Sequence, residues 1–181
     1  MKIKFGRKKQ VYKGKIFDIY NQNVVLPSGN KAVFEYAKRP SSVNILAFND
    51  KGELLMIKEY RLGYKKNVWF VPCGRVDKAG DTPKKAIIRE MREESGYHAK
   101  TIKFFRKRSP SNTLLWDGYS FIGKDLIYDP LSNEDGEEAK AVFVPWKKAV
   151  QMAIDGTIEE EFIAYNILRL DYLMKRKKFK W

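Results

Sequence analysis

Apolar and polar residues follow two rhythms along this chain, one of strands and one of helices. Residues 43–48 and 54–60 are apolar runs joined by Asn49-Asp50-Lys51-Gly52, the pattern of two buried strands meeting at a turn. Residues 101–107, 119–126 and 141–144 read as further strands. Ahead of them, 11–20 and 24–36 look extended, and Leu26-Pro27-Ser28-Gly29-Asn30-Lys31 supplies turn chemistry between them. An antiparallel hairpin is therefore expected before the main fold. The helical rhythm is clearest at 83–95, where Thr82 suits an N-cap, Pro83 the first turn, and Gly96 a left-handed C-terminal position. Residues 146–154 predict a second helix stopped by Gly156, and 159–174 a third with Ile163, Ile167, Leu170 and Met174 on one face.

The first of these helices carries the chemistry. Ala86, Glu90 and Glu94 recur every four residues and share a face, Glu93 lies on its flank, and Ile87 and Met91 form the adjacent apolar stripe. Like charges four apart destabilise an isolated helix, so stability does not ask for this cluster. A hard divalent cation does, because Mg²⁺ takes oxygen ligands and is commonly shared between one or two carboxylates and substrate phosphates. Arg89, four before Glu93, can pair with it. A solvated Glu/Arg/Lys face is the commoner meaning of a charge run. Yet Arg-Glu-apolar-x-Glu-Glu-x-Gly should arise by chance in roughly one chain of this size in ten thousand, or fewer.

The stretch from Gly74 to Tyr97 resembles the Nudix box, the signature of hydrolases that cleave nucleoside diphosphates linked to another moiety. It departs from the family pattern in one place: the loop after Gly74 is one residue longer, and Asp81 stands where glutamate is usual. The resemblance implies a Nudix α/β/α sandwich with a mixed sheet over about residues 40–175, preceded by an N-terminal antiparallel β-hairpin extension. The chain is accordingly divided into 1–40 and 41–181. The Lys-Gly-Lys-Ile-Phe segment, Leu-Pro-x-Gly and the strand ending at Arg39-Pro40 are similar to the extension of ADP-ribose pyrophosphatases, which implies a homodimer; an edge hairpin of a monomer is the alternative.

The implied activity is Mg²⁺-dependent hydrolysis of a nucleoside diphosphate sugar such as ADP-ribose or GDP-mannose, with Mn²⁺ as the alternative metal. Under that resemblance Glu90 and Glu94 bind the metal, Glu93 binds or bridges through water, and the Cys73 carbonyl completes the site. The attacking water is activated from the acidic loop 132–138, by Glu137 or by Glu138. Arg61 and Arg39 stand where the similar enzymes place guanidinium groups on substrate phosphates, with strand-edge salt bridges as the alternative, and Arg75 is grouped with them. Phe17 and Tyr20 are candidates to stack the base, against core packing for Phe17; Trp116 carries the same two readings. Thr113 occupies a position where ADP-ribose specialists carry proline, so the resemblance does not narrow the sugar or base.

Composition changes the picture only at its margins. The 36 Lys and Arg residues against 22 Asp and Glu give a formal charge of +14, much of it near the ends. Such a field attracts any polyanion. It admits a second reading, an RNA 5′-pyrophosphohydrolase or decapping-type enzyme, which ranks below the small substrate. A non-catalytic nucleotide sensor ranks last, because all three box glutamates are present. The single Cys73 excludes an internal disulfide, no apolar run approaches a membrane span, and a cytoplasmic protein without a membrane partner is expected. His98 has no partner at ligand spacing and is assigned no chemistry.

Overall fold

The structure is a computed structural model, described here over residues 2–131 and 140–180. In chain order the strands β1 (Lys4–Lys13), β2 (Asp18–Val25) and β3 (Lys31–Lys38) come first. They are followed by β4 (Ser42–Ala47), β5 (Glu53–Arg61), β6 (Lys66–Phe70) and β7 (Cys73–Arg75). Helix α1 (Pro83–Ser95) leads into β8 (Tyr97–Arg108), β9 (Leu114–Leu115), β10 (Gly118–Tyr128) and β11 (Lys140–Pro145). The helices α2 (Trp146–Ile154) and α3 (Glu161–Lys175) close the order.

The chain forms two compact units, residues 1–42 with 107–118, and residues 43–106 with 119–181. The first is a sheet of order β1-β2-β3-β9. Its first three strands pair antiparallel, and β9 joins β3 in parallel through Ala37↔Leu114 and Lys38↔Leu115. The expected strand 11–20 is corrected here. It is broken by a turn in which Gly14 N donates to Phe17 O at 2.9 Å, so a further strand, β1, adds to the antiparallel hairpin that β2 and β3 form across the turn at 26–30. Residues 4–10 went unrecognised because they are rich in lysine and arginine, which have little strand preference; pairing to β2 with two register shifts holds them extended.

In the second unit two sheets, β7-β4-β10-β8 and β11-β5-β6, have both faces covered. Alternation along the strands produces this. Val43, Ile45 and Ala47 of β4, Leu55 of β5 and Phe121 of β10 meet Ala86, Ile87 and Met91 of α1. Their sequence neighbours Leu46, Leu54, Met56 and Ile122 turn the other way, toward Ala149 and Met152 of α2 and Ile163, Ile167 and Leu170 of α3. Runs buried on both faces read as continuous apolar segments, which is why β4 and β5 stand out in the sequence. The mixed α/β sandwich expected from the resemblance is the observed fold.

Helix α1 begins and ends as its caps require. Thr82 Oγ1 accepts from Lys85 N at 3.2 Å, Pro83 occupies the first turn, and Gly96 adopts φ 76° while its N–H closes on the Arg92 carbonyl. Helix α3 is fastened differently. Asn166 is wholly buried, its Nδ2 donating to Ser120 Oγ at 2.9 Å and Asn44 Oδ1 at 3.3 Å while Arg106 Nη1 donates to its Oδ1.

Asn166→Ala strands two buried partners, Asn44 and Ser120, and the half-buried Arg106, and unfolding in urea should show a loss of about 2–3 kcal/mol, far more than an exposed substitution on the same helix.

Candidate active site

The site is built where β7 passes along α1. Strand β7 lies at the edge of its sheet, so one row of its backbone groups is unused by β4 and must find other partners. Glutamates supply them. Cys73 N donates to Glu94 Oε2 at 2.9 Å and Arg75 N donates to Glu90 Oε1 at 3.3 Å. Two residues of strand span about 6.6 Å and four residues of helix about 6 Å, so N–H groups at i and i+2 match carboxylates at i and i+4. Between them, Gly74 permits the approach: a Cβ there would lie 1.9 Å from the Glu90 carboxyl carbon and 2.3 Å from each of its oxygens.

Arg89 gathers the remaining acids. Its Nη1 lies 2.8 Å from Glu90 and 3.0 Å from Glu93, and its Nη2 lies 3.3 Å from Asp81 and 3.8 Å from Asp77. Nη2 also donates to the Arg75 carbonyl. Burial opposes the guanidinium charge, but Glu90, Asp81 and Glu93 outweigh it and hold Arg89 above its ordinary pKa. Asp81 therefore serves the longer loop as an anchor on Arg89. Glu93 additionally faces Lys78 Nζ at 3.5 Å.

These acids are strained electrostatically in the metal-free protein. Burial raises the Glu90 pKa against the pull of Arg89. Burial pushes Glu94 up to about 8; the Cys73 N–H and Arg61 work against it, Glu90 and Glu59 with it. The Cys73 thiol, in the same corner, is pushed well above its ordinary value by burial and then by Glu94. It is a packing group and not a nucleophile. Among the described residues no three His, Cys, Asp or Glu side chains form a closed metal cage. An Mg²⁺ site does not need one, since it draws on one or two carboxylates and waters. Hard oxygen donors, a cradle that any Cβ would fill, and a carboxyl that burial pushes up to about 8 and a cation would bring back down all fit a divalent cation.

The other expected residues have partners of their own. Arg61 pairs with Glu59 at 3.0 Å and stands over the Phe70 ring at 4.7 Å. The Arg75 side chain meets Asp77 at 3.3 Å. In the first unit, Arg39 lies 5.1 Å from the Trp116 ring and 6.0 Å from that of Phe17, and the two rings meet edge to face at 5.9 Å. Tyr20 is half-buried on β2, opposite Tyr36. His98 Nδ1 lies 3.5 Å from Asp129, which also holds Arg92 at 3.0 Å. Glu137 and Glu138 lie outside the described residues. Glu59 was not singled out in the sequence, although a carboxylate in phase with Leu55 and Ile57 of an apolar strand was a readable signal.

Residues 38–165 match the NUDIX domain. The chain is 36% identical over 95 residues to the ADP-ribose pyrophosphatase of Bacillus subtilis (strain 168), covering 52% of this chain and 51% of that protein. It is 34% identical over 91 residues to the ADP-ribose pyrophosphatase of Mycobacterium tuberculosis (strain ATCC 25618 / H37Rv), covering 50% and 44%. The matches thus span about half the length of these curated relatives. A solved structure of an ADP compounds hydrolase superposes with a TM-score of 0.83 at 22% identity, covering 99% of this chain and 98% of that one, which is a likeness of fold.

Gly74→Ala should weaken binding of a divalent cation at least about tenfold in a calorimetric titration, because the new Cβ displaces the Glu90 carboxylate. Glu94 sets a pH dependence of known sign. Its folded pKa of about 8 lies above the ordinary carboxylate value of 4.5, so the native state holds a proton that the unfolded chain releases. Metal-free protein should lose stability as pH rises from 4.5 to about 8, and Glu94→Gln should flatten that slope in thermal unfolding. Metal affinity should run the opposite way, rising by up to about tenfold per pH unit through the same window.

Proposed function

We propose, because the chain belongs to the Nudix family, that it is a divalent-metal-dependent pyrophosphatase. Its substrate is a nucleoside diphosphate sugar, ADP-ribose or GDP-mannose or a close relative, and its products are a nucleoside monophosphate and a sugar phosphate. The observation that carries this reading is the acidic cradle, in which Gly74 lets β7 and α1 close until Glu90 and Glu94 face the same strand edge. Two similar proteins that bear the name ADP-ribose pyrophosphatase support the substrate class.

In this scheme Glu90 and Glu94 hold Mg²⁺, or Mn²⁺ in its place, with Glu93 beside them and the Cys73 carbonyl completing the site. When bound, the cation neutralises charge on the phosphoryl oxygens. The chain's own groups do the rest. Arg89 keeps Glu90 and Glu93 oriented through its 2.8 and 3.0 Å contacts. Arg61 meets the diphosphate, and Arg75 reaches the same anion when it leaves Asp77. Glu137 or Glu138 takes the proton from the attacking water. Arg39 is assigned to the diphosphate or the terminal ribose phosphate, and Phe17 and Tyr20 to stacking on the nucleobase, in the same chain or from a second copy.

A homodimer is part of the proposal. All ten residues of β1 are exposed, with Phe5, Val11 and Tyr12 more than half so. A groove of about 650 Å³, lined by Phe5, Val24, Val25, Ala32 and Val33, runs along the same sheet. A second copy is the partner that would cover them. The lone thiol and the absence of any described helix long and apolar enough to cross a membrane accord with a cytoplasmic location.

Turnover with Mg²⁺ on ADP-ribose, GDP-mannose, UDP-glucose, a dinucleoside polyphosphate and a triphosphorylated RNA tests the reading. Cleavage of the diphosphate sugars is expected; turnover of the RNA alone would replace the substrate, and no turnover at all would remove the enzyme. Glu94→Gln should lower kcat by about two orders of magnitude or more while the fold persists. Glu137→Gln and Glu138→Gln, compared at saturating substrate, should separate the base from its neighbour: only one of them should slow the chemical step without changing binding.

A further inference from the structure

Strand β5 carries an acidic side chain where its neighbours are apolar. Leu54, Leu55, Met56 and Ile57 are inaccessible, and Glu59 is buried almost as deeply, its side chain 4% exposed. Taking a carboxylate out of water is expensive, and buried ion pairs can often be replaced by apolar side chains without loss of stability. Stability alone therefore does not account for Glu59. Its Oε2 lies 3.0 Å from Arg61 Nη2, and the same guanidinium stands 4.7 Å from the Phe70 ring centre. Arg61 is thus held from two directions, by a fixed anion on its own strand and by a π face on β6.

The held guanidinium still has capacity. Arg61 Nε is buried and makes no hydrogen bond among the described residues, while 32% of the side chain remains open. Buried donors are ordinarily satisfied, and a guanidinium with an unused donor beside an open edge is suited to a phosphate oxygen. The pair also stands near the acidic cradle. After burial, the Cys73 N–H and Glu90, the charges of Arg61 and Glu59 both act on Glu94, with opposite signs.

We propose that Glu59 is a positioning residue: its carboxylate fixes the Arg61 guanidinium against Phe70 so that the remaining donors meet the substrate diphosphate. The inference rests on the phosphate-binding role proposed for Arg61. Without the anion, the long side chain regains its rotamers, and each binding event must order it again.

Two measurements test it. In protein labelled with ¹⁵N-arginine, the Arg61 Nε–Hε resonance, assigned by its loss in Arg61→Lys, should report restricted guanidinium rotation in the wild type and free rotation in Glu59→Gln. Kinetically, Glu59→Gln should raise KM for the best diphosphate sugar about tenfold with kcat within about threefold, and Arg61→Lys should do the same. The double variant should be no worse than Arg61→Lys alone, since in this proposal Glu59 reaches the substrate diphosphate through that guanidinium. Unchanged rotation, an unchanged KM, or effects that multiply in the double variant would overturn the assignment. If the wild type cleaves no diphosphate sugar, the proposed function fails, and the resonance of Arg61 still decides whether Glu59 positions it. Should Glu59→Gln not fold, Glu59→Asp, which withdraws the charge by one methylene, gives the same two readouts.

Discussion

The site depends on one close approach, that of an edge strand to a helix across a residue with no side chain. The N–H groups of Cys73 and Arg75 need acceptors, and α1 offers Glu94 and Glu90 at matching spacing. The contact closes only because Gly74 leaves room for the Glu90 carboxyl. The hydrogen bonds satisfy the strand edge, and they also bring two carboxylates together on partly buried ground. The helix therefore closes the edge of its sheet with the groups that would bind metal. Structural and chemical demands meet in the same two side chains.

Crowding acids in this way has an electrostatic cost, which the chain distributes. Arg89 offsets part of it through Glu90, Glu93 and Asp81, and in doing so ties the loop before α1 to the helix. The extra loop residue is tolerated because the tie is a side chain and not a backbone register; a longer closed loop adds little entropy. Glu94 lies beyond the reach of these contacts and answers instead with a carboxyl pushed up to about 8. A cation beside these carboxylates would offset that shift.

The two units are stabilised by different means. The second has a core on both faces of its sheets, with the buried Asn44, Ser120 and Asn166 network fixing α3 against β4 and β10. The first has few buried side chains and depends on strand pairing: β1 is exposed throughout, and among the described residues Val24 is its one buried hydrophobic residue. A sheet of this kind is marginal by itself, which is the physical motive for the second copy in the proposed assembly.

Local rules were enough for α1, for its caps and for the phase that places Glu90 and Glu94 on one face, because helix periodicity and capping act within a few residues. They were also enough for the central strands, whose apolar runs reflect burial on both faces. Pairing alone decided the rest. The lysine-rich β1 becomes a strand only beside β2, and residues 107–118 join the first unit through the β9–β3 pairing and the contacts of Trp116 with Phe17 and Arg39. That Arg89 would gather Asp77 and Asp81 as well as Glu93 could not be read from a spacing of four. Nor could the burial of Glu59 beneath Arg61 and Phe70, since both depend on chain segments brought together in three dimensions. Sequence determined which chemical groups lie on each element; tertiary structure decided which of them meet, because contact between distant segments is set by how the sheets and helices pack.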